Sequence, residues 1–254
     1  MTDLHCHILP GIDDGAHDEG SAEQMLSLEV KEGVDRIALT SHFDCETEET
    51  DRFVEARDRA FEKLFGIVTK NSPAFDKIEF KKASEVLFSP KLAELDLKPL
   101  CIEGTPYILI EFPSSRRPFF LRETLYRIQS KGFVPVIAHV ERYSFATDDL
   151  KTVKSMVDAG IYFQVNAQPL YSDRKKSKFL MKLIEWNLVH VIASDAHSPK
   201  DRAPNLMRGM DAVAHALGED AVSRLKENAD AIFRGAIPEP FNAYEPKKVF
   251  GKWK

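Results

Sequence analysis

The chain has 254 residues, a net charge of −5, 43% hydrophobic and 30% charged residues. That balance allows a sizeable core and argues against bulk nucleic-acid binding, which needs a basic field. Cys6, Cys45 and Cys101 lack CxxC spacing and read as reduced thiols, not a disulfide framework. No apolar run approaches the ~18 residues of a membrane span, and Met1-Thr2-Asp3 leads into a candidate strand without a signal-peptide pattern. The expectation is a cytoplasmic protein with no membrane insertion.

Apolar, strand-forming runs alternate with amphipathic helical patterns throughout. A strand is expected over 3–8, a helix over 18–33, a strand over 36–42 and a helix over 48–69. Strands follow over 77–87 and 106–112, then a helix over 117–131 and a strand over 134–140. The series ends with a helix over 148–159, a strand over 161–166, a helix over 174–187, a strand over 188–195 and helices over 204–218 and 220–234. Asp18-Glu19-Gly20-Ser21 opens the first helix and Glu32-Gly33 closes it, while Asp158-Ala159-Gly160 marks a similar exit. Such alternation predicts a parallel sheet with right-handed crossovers, and about seven units nearly close a βα barrel. Nothing divides residues 1–254, so one domain is expected. Residues 236–254, with prolines and Lys247, Lys248, Lys252 and Lys254, read as a surface arm.

In Asp3-Leu4-His5-Cys6-His7-Ile8-Leu9-Pro10-Gly11-Ile12-Asp13-Asp14-Gly15, His5 and His7 share one strand face and can reach one metal ion. Asp14, beyond a Pro-Gly turn, adds a carboxylate, and Asp195-Ala196-His197 forms a second same-face pair near the other end. In βα barrels chemistry gathers where strands end. The other expected strand ends carry His42, Glu85, Glu111 and His139; the sixth, Gln164-Val165-Asn166, offers no strong ligand. Nine candidates are too many for one zinc ion but suit two or three ions sharing a carboxylate. Their nitrogen and oxygen donors, with no thiolate, favour manganese, iron or zinc. Glu85 and Glu111 lie in apolar contexts where an unpaired carboxylate is costly.

The 3–15 stretch resembles the opening signature of the polymerase-and-histidinol-phosphatase (PHP) superfamily. Within it, the chain is similar to the manganese-dependent bacterial protein-tyrosine phosphatases of capsule and exopolysaccharide biosynthesis. His42, Glu85-Val86, Glu111-Phe112, His139-Val140-Glu141-Arg142-Tyr143 and Ser194-Asp195-Ala196-His197 continue the resemblance in order. Val140 in place of proline, Ser41 before His42 and Ala83-Ser84 before Glu85 depart from the usual pattern without removing a ligand.

The resemblance implies a distorted seven-unit (β/α)7 barrel with three divalent ions, manganese foremost and iron or zinc as alternatives. His5, His7, Glu85 and Asp195 would hold the first ion. Glu85 would bridge to a second held by Glu111 and His139, and Asp14, His42 and His197 would hold the third. Arg142 and Arg202 would contact phosphate, with Arg208 near enough in sequence to compete for that place. Metal-activated hydroxide would hydrolyse phosphotyrosine in a protein, by resemblance the tail of a bacterial tyrosine autokinase, with Glu111 or His139 able to supply a proton. Alternatives are a small-molecule phosphatase of the histidinol-phosphate type, a phosphodiesterase or exonuclease, and a non-catalytic kinase-binding module. A cysteine-based phosphatase is excluded, because no cysteine precedes a phosphate-cradling loop ending in arginine. Arg116 and Arg117 read as a solvated loop, Cys6 as core packing, and His17, His190 and His215 as structural residues.

Overall fold

A computed structural model describes residues 1–71, 73–113, 117–238, 242–246, 248–249 and 252–253. Seven strands pair in chain order, every pair parallel: β1 (Thr2–Cys6), β2 (Arg36–Phe43), β3 (Glu79–Leu87), β4 (Tyr107–Glu111), β5 (Val134–Ile137), β6 (Tyr162–Asn166) and β7 (Val191–Ala193). The sheet curls back on itself: Cys6 bridges Ala196, His7 N–H donates to the Ala196 carbonyl at 2.9 Å, and Asp195 N–H donates to the His5 carbonyl at 2.8 Å. The expected seven-unit, nearly closed βα barrel therefore forms.

Nine helices are present among the described residues: α1 (Glu19–Lys31), α2 (Thr50–Lys70), α3 (Leu121–Ser130), α4 (Ser144–Thr147), α5 (Leu150–Asp158), α6 (Gln168–Ser172), α7 (Arg174–Glu185), α8 (Leu206–Leu217) and α9 (Glu219–Arg234). Asp18 opens α1 by accepting from Ser21 N–H, while the Ser21 hydroxyl accepts from Asp18 N–H, which satisfies two otherwise orphaned donors. Helices α4 and α6 are absent from the sequence reading because four and five residues are too few to display a 3.6-residue period. The strand expected to 140 stops at Ile137, because His139 turns left-handed (φ 30°) and 140–142 form a 3-10 turn. That expected over 188–195 is confined to Val191–Ala193, because Asp195 is left-handed (φ 53°).

The barrel has two apolar layers. Outward residues such as Cys6, Ile37, Leu39 and Val86 pack among the helices. Inward ones, including Leu4, Ala38, Ala83 and Ala138, pack with Ile232 and Phe233 of α9. The small inward alanines leave room for the fully buried Phe233 ring. At this end, Asp230 on α9 accepts from Thr2 Oγ1 at 2.7 Å and pairs with Arg36 Nε at 2.7 Å. Since Thr2 and Arg36 begin their strands, α9 plugs the N-terminal end and leaves the C-terminal end for chemistry.

The segment expected to be a surface arm has a docked portion. Tyr244 N–H donates to the Trp186 carbonyl at 2.9 Å, and Asn187 Nδ2 donates to the Asn242 carbonyl at 3.2 Å. Lys248–Val249 then pairs antiparallel with Lys252–Trp253. Lys247, Lys254 and Arg116 lie outside the described residues. No helix among the described residues is long and apolar enough to cross a membrane.

Candidate metal centre

The first strand carries an irregularity that shapes the site. Asp3 pairs with Ile37 but Cys6 with Leu39, so β1 contains one residue more than β2 over that interval. Such a bulge bends the strand and re-aims its side chains. Leu4 joins the inner layer and Cys6 the outer one, while His5 and His7 turn their Nε2 atoms toward each other at 3.1 Å. Cys6 is core, as expected, with its Sγ 3.4 Å from the buried Glu29 carboxylate on α1.

Glu85, on β3 and 1% exposed, is the hub. Its Oε2 lies 3.0 Å from His5 Nε2, 3.2 Å from His7 Nε2 and 3.3 Å from His42 Nδ1, while its Oε1 lies 2.7 Å from His139 Nε2. Asp195 Oδ1 is 3.3 Å from His5 Nε2. Glu111 reaches His42 Nδ1 at 3.3 Å and His139 Nε2 at 3.8 Å. Asp14, on the exposed rim, lies 3.3 Å from His42 Nε2 and 3.4 Å from His197 Nε2. All nine sequence candidates thus converge. Donor atoms fall into overlapping groups, His5–His7–Glu85–Asp195, His42–Glu85–Glu111 and His7–Asp14–His42–His197. His42 stands between the latter two and offers a different ring nitrogen to each.

Asp195 and His197 also converge, but not by strand alternation as the sequence reading had it. They lie beyond β7, and the left-handed backbone of Asp195 turns both inward. His139, another candidate ligand, is likewise left-handed. Non-glycine residues in this region carry strain of roughly 1–3 kcal/mol each, which the surrounding structure must hold in place. Gly15 makes the first loop possible: a Cβ there would meet the His7 carbonyl oxygen at 2.2 Å.

The electrostatics are those of packed imidazoles among carboxylates. Burial pulls His7 down, but Asp13 and Glu85 outweigh it and hold the ring up at about 10. Burial also opposes the rise of His5, which the Glu85 and Asp195 charges carry. Glu85 lies well below the carboxylate range because His5, His139 and His7 overcome its burial. Asp195 is lowered against burial by His5 and Arg142. Burial and the neighbouring His7 charge bring His197 down to about 4. Glu85 Oε2 and His197 Nε2 are buried without a hydrogen-bond partner. Two facing imidazole nitrogens, an orphaned carboxylate oxygen and an orphaned ring nitrogen form a donor set that a divalent cation fits.

Both expected arginines reach this centre. Arg142 Nη2 hydrogen-bonds Asp195 Oδ2, and Arg202 Nη2 bonds Asp195 Oδ1 at 2.8 Å. Arg208 instead stacks on the Tyr171 ring, 4.2 Å from its centroid. Arg117 is exposed. His190 is buried with Nδ1 3.1 Å from Phe163 N, and burial brings it down to about 3; His17 and His215 are exposed. The cysteines are free.

Sequence reasoning missed the supports of the ligands. Asp13 accepts from His42 N–H at 3.1 Å and lies 2.9 Å from His7 Nδ1; burial raises its pKa, but His7 lowers it to about 2. Tyr143 Oη accepts from Phe112 N–H at 2.9 Å and lies 3.0 Å from His139 Nδ1, tying the ends of β4 and β5. A signal was available: a histidine that binds metal through one nitrogen needs a partner for the other.

Fold and cluster together define a βα-barrel protein that gathers metal-type donors at the C-terminal mouth of its strands. Within that class the chain belongs to the CpsB/CapC family of capsular polysaccharide synthesis, whose profile matches residues 1–234. It is 30% identical over 259 residues to the tyrosine-protein phosphatase YwqE of Bacillus subtilis (strain 168), covering 99% of each chain. It is 30% identical over 262 residues to the putative tyrosine-protein phosphatase CapC of Staphylococcus aureus, again covering 99% of each. A solved chain superimposes with a TM-score of 0.86 at 28% identity, covering 98% of this chain and all of the other. It belongs to the crystal structures of YwqE from Bacillus subtilis and CpsB from Streptococcus pneumoniae, described as unique metal-dependent tyrosine phosphatases.

Proposed function

We propose that the chain is a metal-dependent phosphomonoesterase that hydrolyses phosphotyrosine in proteins. The observation that carries this reading is the convergence of nine metal-type donors, His139 joining through Glu85, with two arginines at the same mouth. Full-length similarity to named tyrosine-protein phosphatases supports the substrate class.

His5, His7, Glu85 and Asp195 would hold one ion, Glu85, Glu111 and His139 a second, and Asp14, His42 and His197 a third. The nitrogen and oxygen donors suit manganese, with iron and zinc as competitors. Bound ions supply Lewis acidity at the phosphoryl group and an activated water near neutral pH.

The chain's own residues supply the rest. Arg142 and Arg202, with side chains 41% and 38% exposed, can bind phosphoryl oxygens arriving from outside and oppose the charge that develops there. The leaving tyrosine oxygen would take its proton from water, since the Glu111 carboxylate is committed to metal in this reading. The demand is small, since a phenol has a pKa near ~10. An arginine pair open to solvent suits a phosphotyrosine carried on a peptide. In this reading the partner is the tyrosine-rich tail of a bacterial autokinase, and the protein works in the cytoplasm, where its free thiols stay reduced.

Turnover of a phosphotyrosine peptide and of histidinol phosphate, with manganese and with chelator, tests the assignment. Metal-dependent, peptide-preferring turnover is expected. Preference for histidinol phosphate would move the substrate to small molecules, and turnover unaffected by chelator would overturn the metal centre.

A further inference from the structure

Strand β6 is flanked by the ligand-bearing strand ends of β5 and β7 yet contributes no ligand of its own. Its two inward side chains, Gln164 and Asn166, are neutral amides, fully and 94% buried. Gln164 Oε1 accepts from His139 N–H at 2.7 Å and lies 3.3 Å from His5 Nδ1. Gln164 Nε2 donates to Asn166 Oδ1 at 2.8 Å, and Asn166 Nδ2 donates to Asp195 Oδ2 at 2.6 Å. The Asn166 N–H donates to Glu141 Oε1 at 3.1 Å and pins its own strand.

The direction of this chain is fixed from both ends. The backbone N–H of His139 can only donate, so the Gln164 atom facing it must be the oxygen. The Asp195 carboxylate accepts from Arg142 and Arg202 as well, so the Asn166 atom facing it must be the nitrogen. Flipping either amide would oppose donor to donor or acceptor to acceptor. With Gln164 Oε1 an acceptor, His5 Nδ1 must be the donor. When metal displaces the Nε2 proton, the His5 ring would keep its other proton on Nδ1 and offer the Nε2 lone pair on the side of His7, Glu85 and Asp195.

We infer that Gln164 and Asn166 are positioning residues of the metal centre: together they set the His5 tautomer, hold the left-handed His139 backbone and orient the Asp195 carboxylate. The inference rests on the metal-centre reading above and deepens it. A glutamate at 164 could still accept from His5 and His139, but carboxylates at both positions would add charge beside Glu85 and Asp195, and an aspartate at 166 could not donate to Asp195. Outer partners of metal-binding histidines typically govern affinity by roughly 10–100-fold.

The test is manganese affinity by calorimetry and bound-metal analysis on folded full-length variants, with proton spectra of zinc-loaded, nitrogen-15-labelled protein. Gln164→Leu is expected to bind manganese roughly 10–100-fold more weakly, and Asn166→Ala to weaken it in the same direction. Zinc-loaded wild type should show a slowly exchanging His5 Nδ1 proton, absent in Gln164→Leu and retained in Gln164→Glu, which keeps the acceptor oxygen. Asn228 is the control: it is equally buried and donates to the His190 carbonyl at 3.0 Å. Asn228→Ala should lower the melting temperature and leave manganese affinity at the wild-type value. Wild-type affinity in folded Gln164→Leu, or a wild-type His5 proton on Nε2, would overturn the inference, and the second readout decides even if the leucine variant does not fold. Wild-type protein that takes up no metal would overturn the metal-centre reading together with the relay. Metal uptake without phosphotyrosine turnover would overturn the substrate assignment alone.

Discussion

The two ends of the barrel interior differ in chemistry although the same strands build both. Near α9 the inward residues are Leu4, Ala38, Ala83 and Leu109, closed over by Ile232 and Phe233. Two to four positions further along these strands, or just past their ends, stand His7, His42, Glu85 and Glu111. Burying charged groups is costly, and the mouth buries His5, His7, Glu85, His139, Asp195 and His197. The closed end has no polar task and can be packed for stability, so the price of the mouth is met elsewhere in the same fold. Substitutions at the two ends should therefore fail in different assays.

The largest separation is expected for His5→Ala and Glu85→Gln. Each should lower metal-dependent turnover by at least ~10³-fold, since each removes a proposed ligand. Far-UV circular dichroism should stay close to wild type, and full activity in either variant would sink the ligand assignment. Phe233→Ala is the mirror experiment: it should cost about 3–5 kcal/mol in denaturant unfolding. Its folded fraction should keep wild-type manganese affinity. A parallel loss of affinity would mean that the two ends are not separable.

At the mouth, Arg142→Lys and Arg202→Lys should each reduce kcat/KM on a phosphotyrosine peptide by roughly 10²–10³-fold, the usual loss when one oxyanion donor is removed. Bound metal should fall far less than turnover, because the arginines touch the proposed centre only through the Asp195 carboxylate. The charge balance gives a pH test. His5 and His7 titrate above their ordinary value in the metal-free protein, and His7 is held at about 10. Metal needs their lone pairs, so uptake near neutrality should release protons and affinity should rise with pH, about tenfold per unit for each proton displaced. Calorimetry in buffers of different ionisation enthalpy reads the proton count directly. For the chelated protein, a raised folded-state pKa contributes stability in full below the unfolded value of 6.5. That contribution fades as pH rises through about 10. The smallest effect belongs to Arg208→Ala, which loses a stacking contact worth about 0.5–1 kcal/mol and should leave turnover intact.

The convergence of the candidate donors was legible in the sequence because metal chemistry restricts residue type and strand ends restrict position. His5 and His7 could be paired from spacing alone, and alternating elements sufficed for the barrel. What stayed hidden depends on backbone geometry that no periodicity encodes. The bulge in β1 and the left-handed turns at His139 and Asp195 do not alter hydrophobic pattern. Asp13 looked like a neighbour of Asp14, yet it faces the far nitrogen of His7 while Asp14 faces His42 and His197. Gln164 and Asn166 were passed over because an amide is a poor ligand; their use lies in being donor and acceptor at once.

The seam where β7 returns to β1 joins residues from opposite ends of the chain. Ser194 Oγ donates to the His5 carbonyl across 189 positions of chain, and Ser194 N–H donates to Asp3 across 191. Contacts so remote in sequence are among the slowest to form, because nearly the whole loop must be ordered before they reward it. His5 and His7 emerge from the ribosome long before Asp195 and His197. A nascent or prematurely terminated chain therefore exposes two histidines and a few carboxylates but never the full chelating set. On the proposed metal reading, competence to retain metal would arrive only with barrel closure, so bound metal would mark a finished polypeptide.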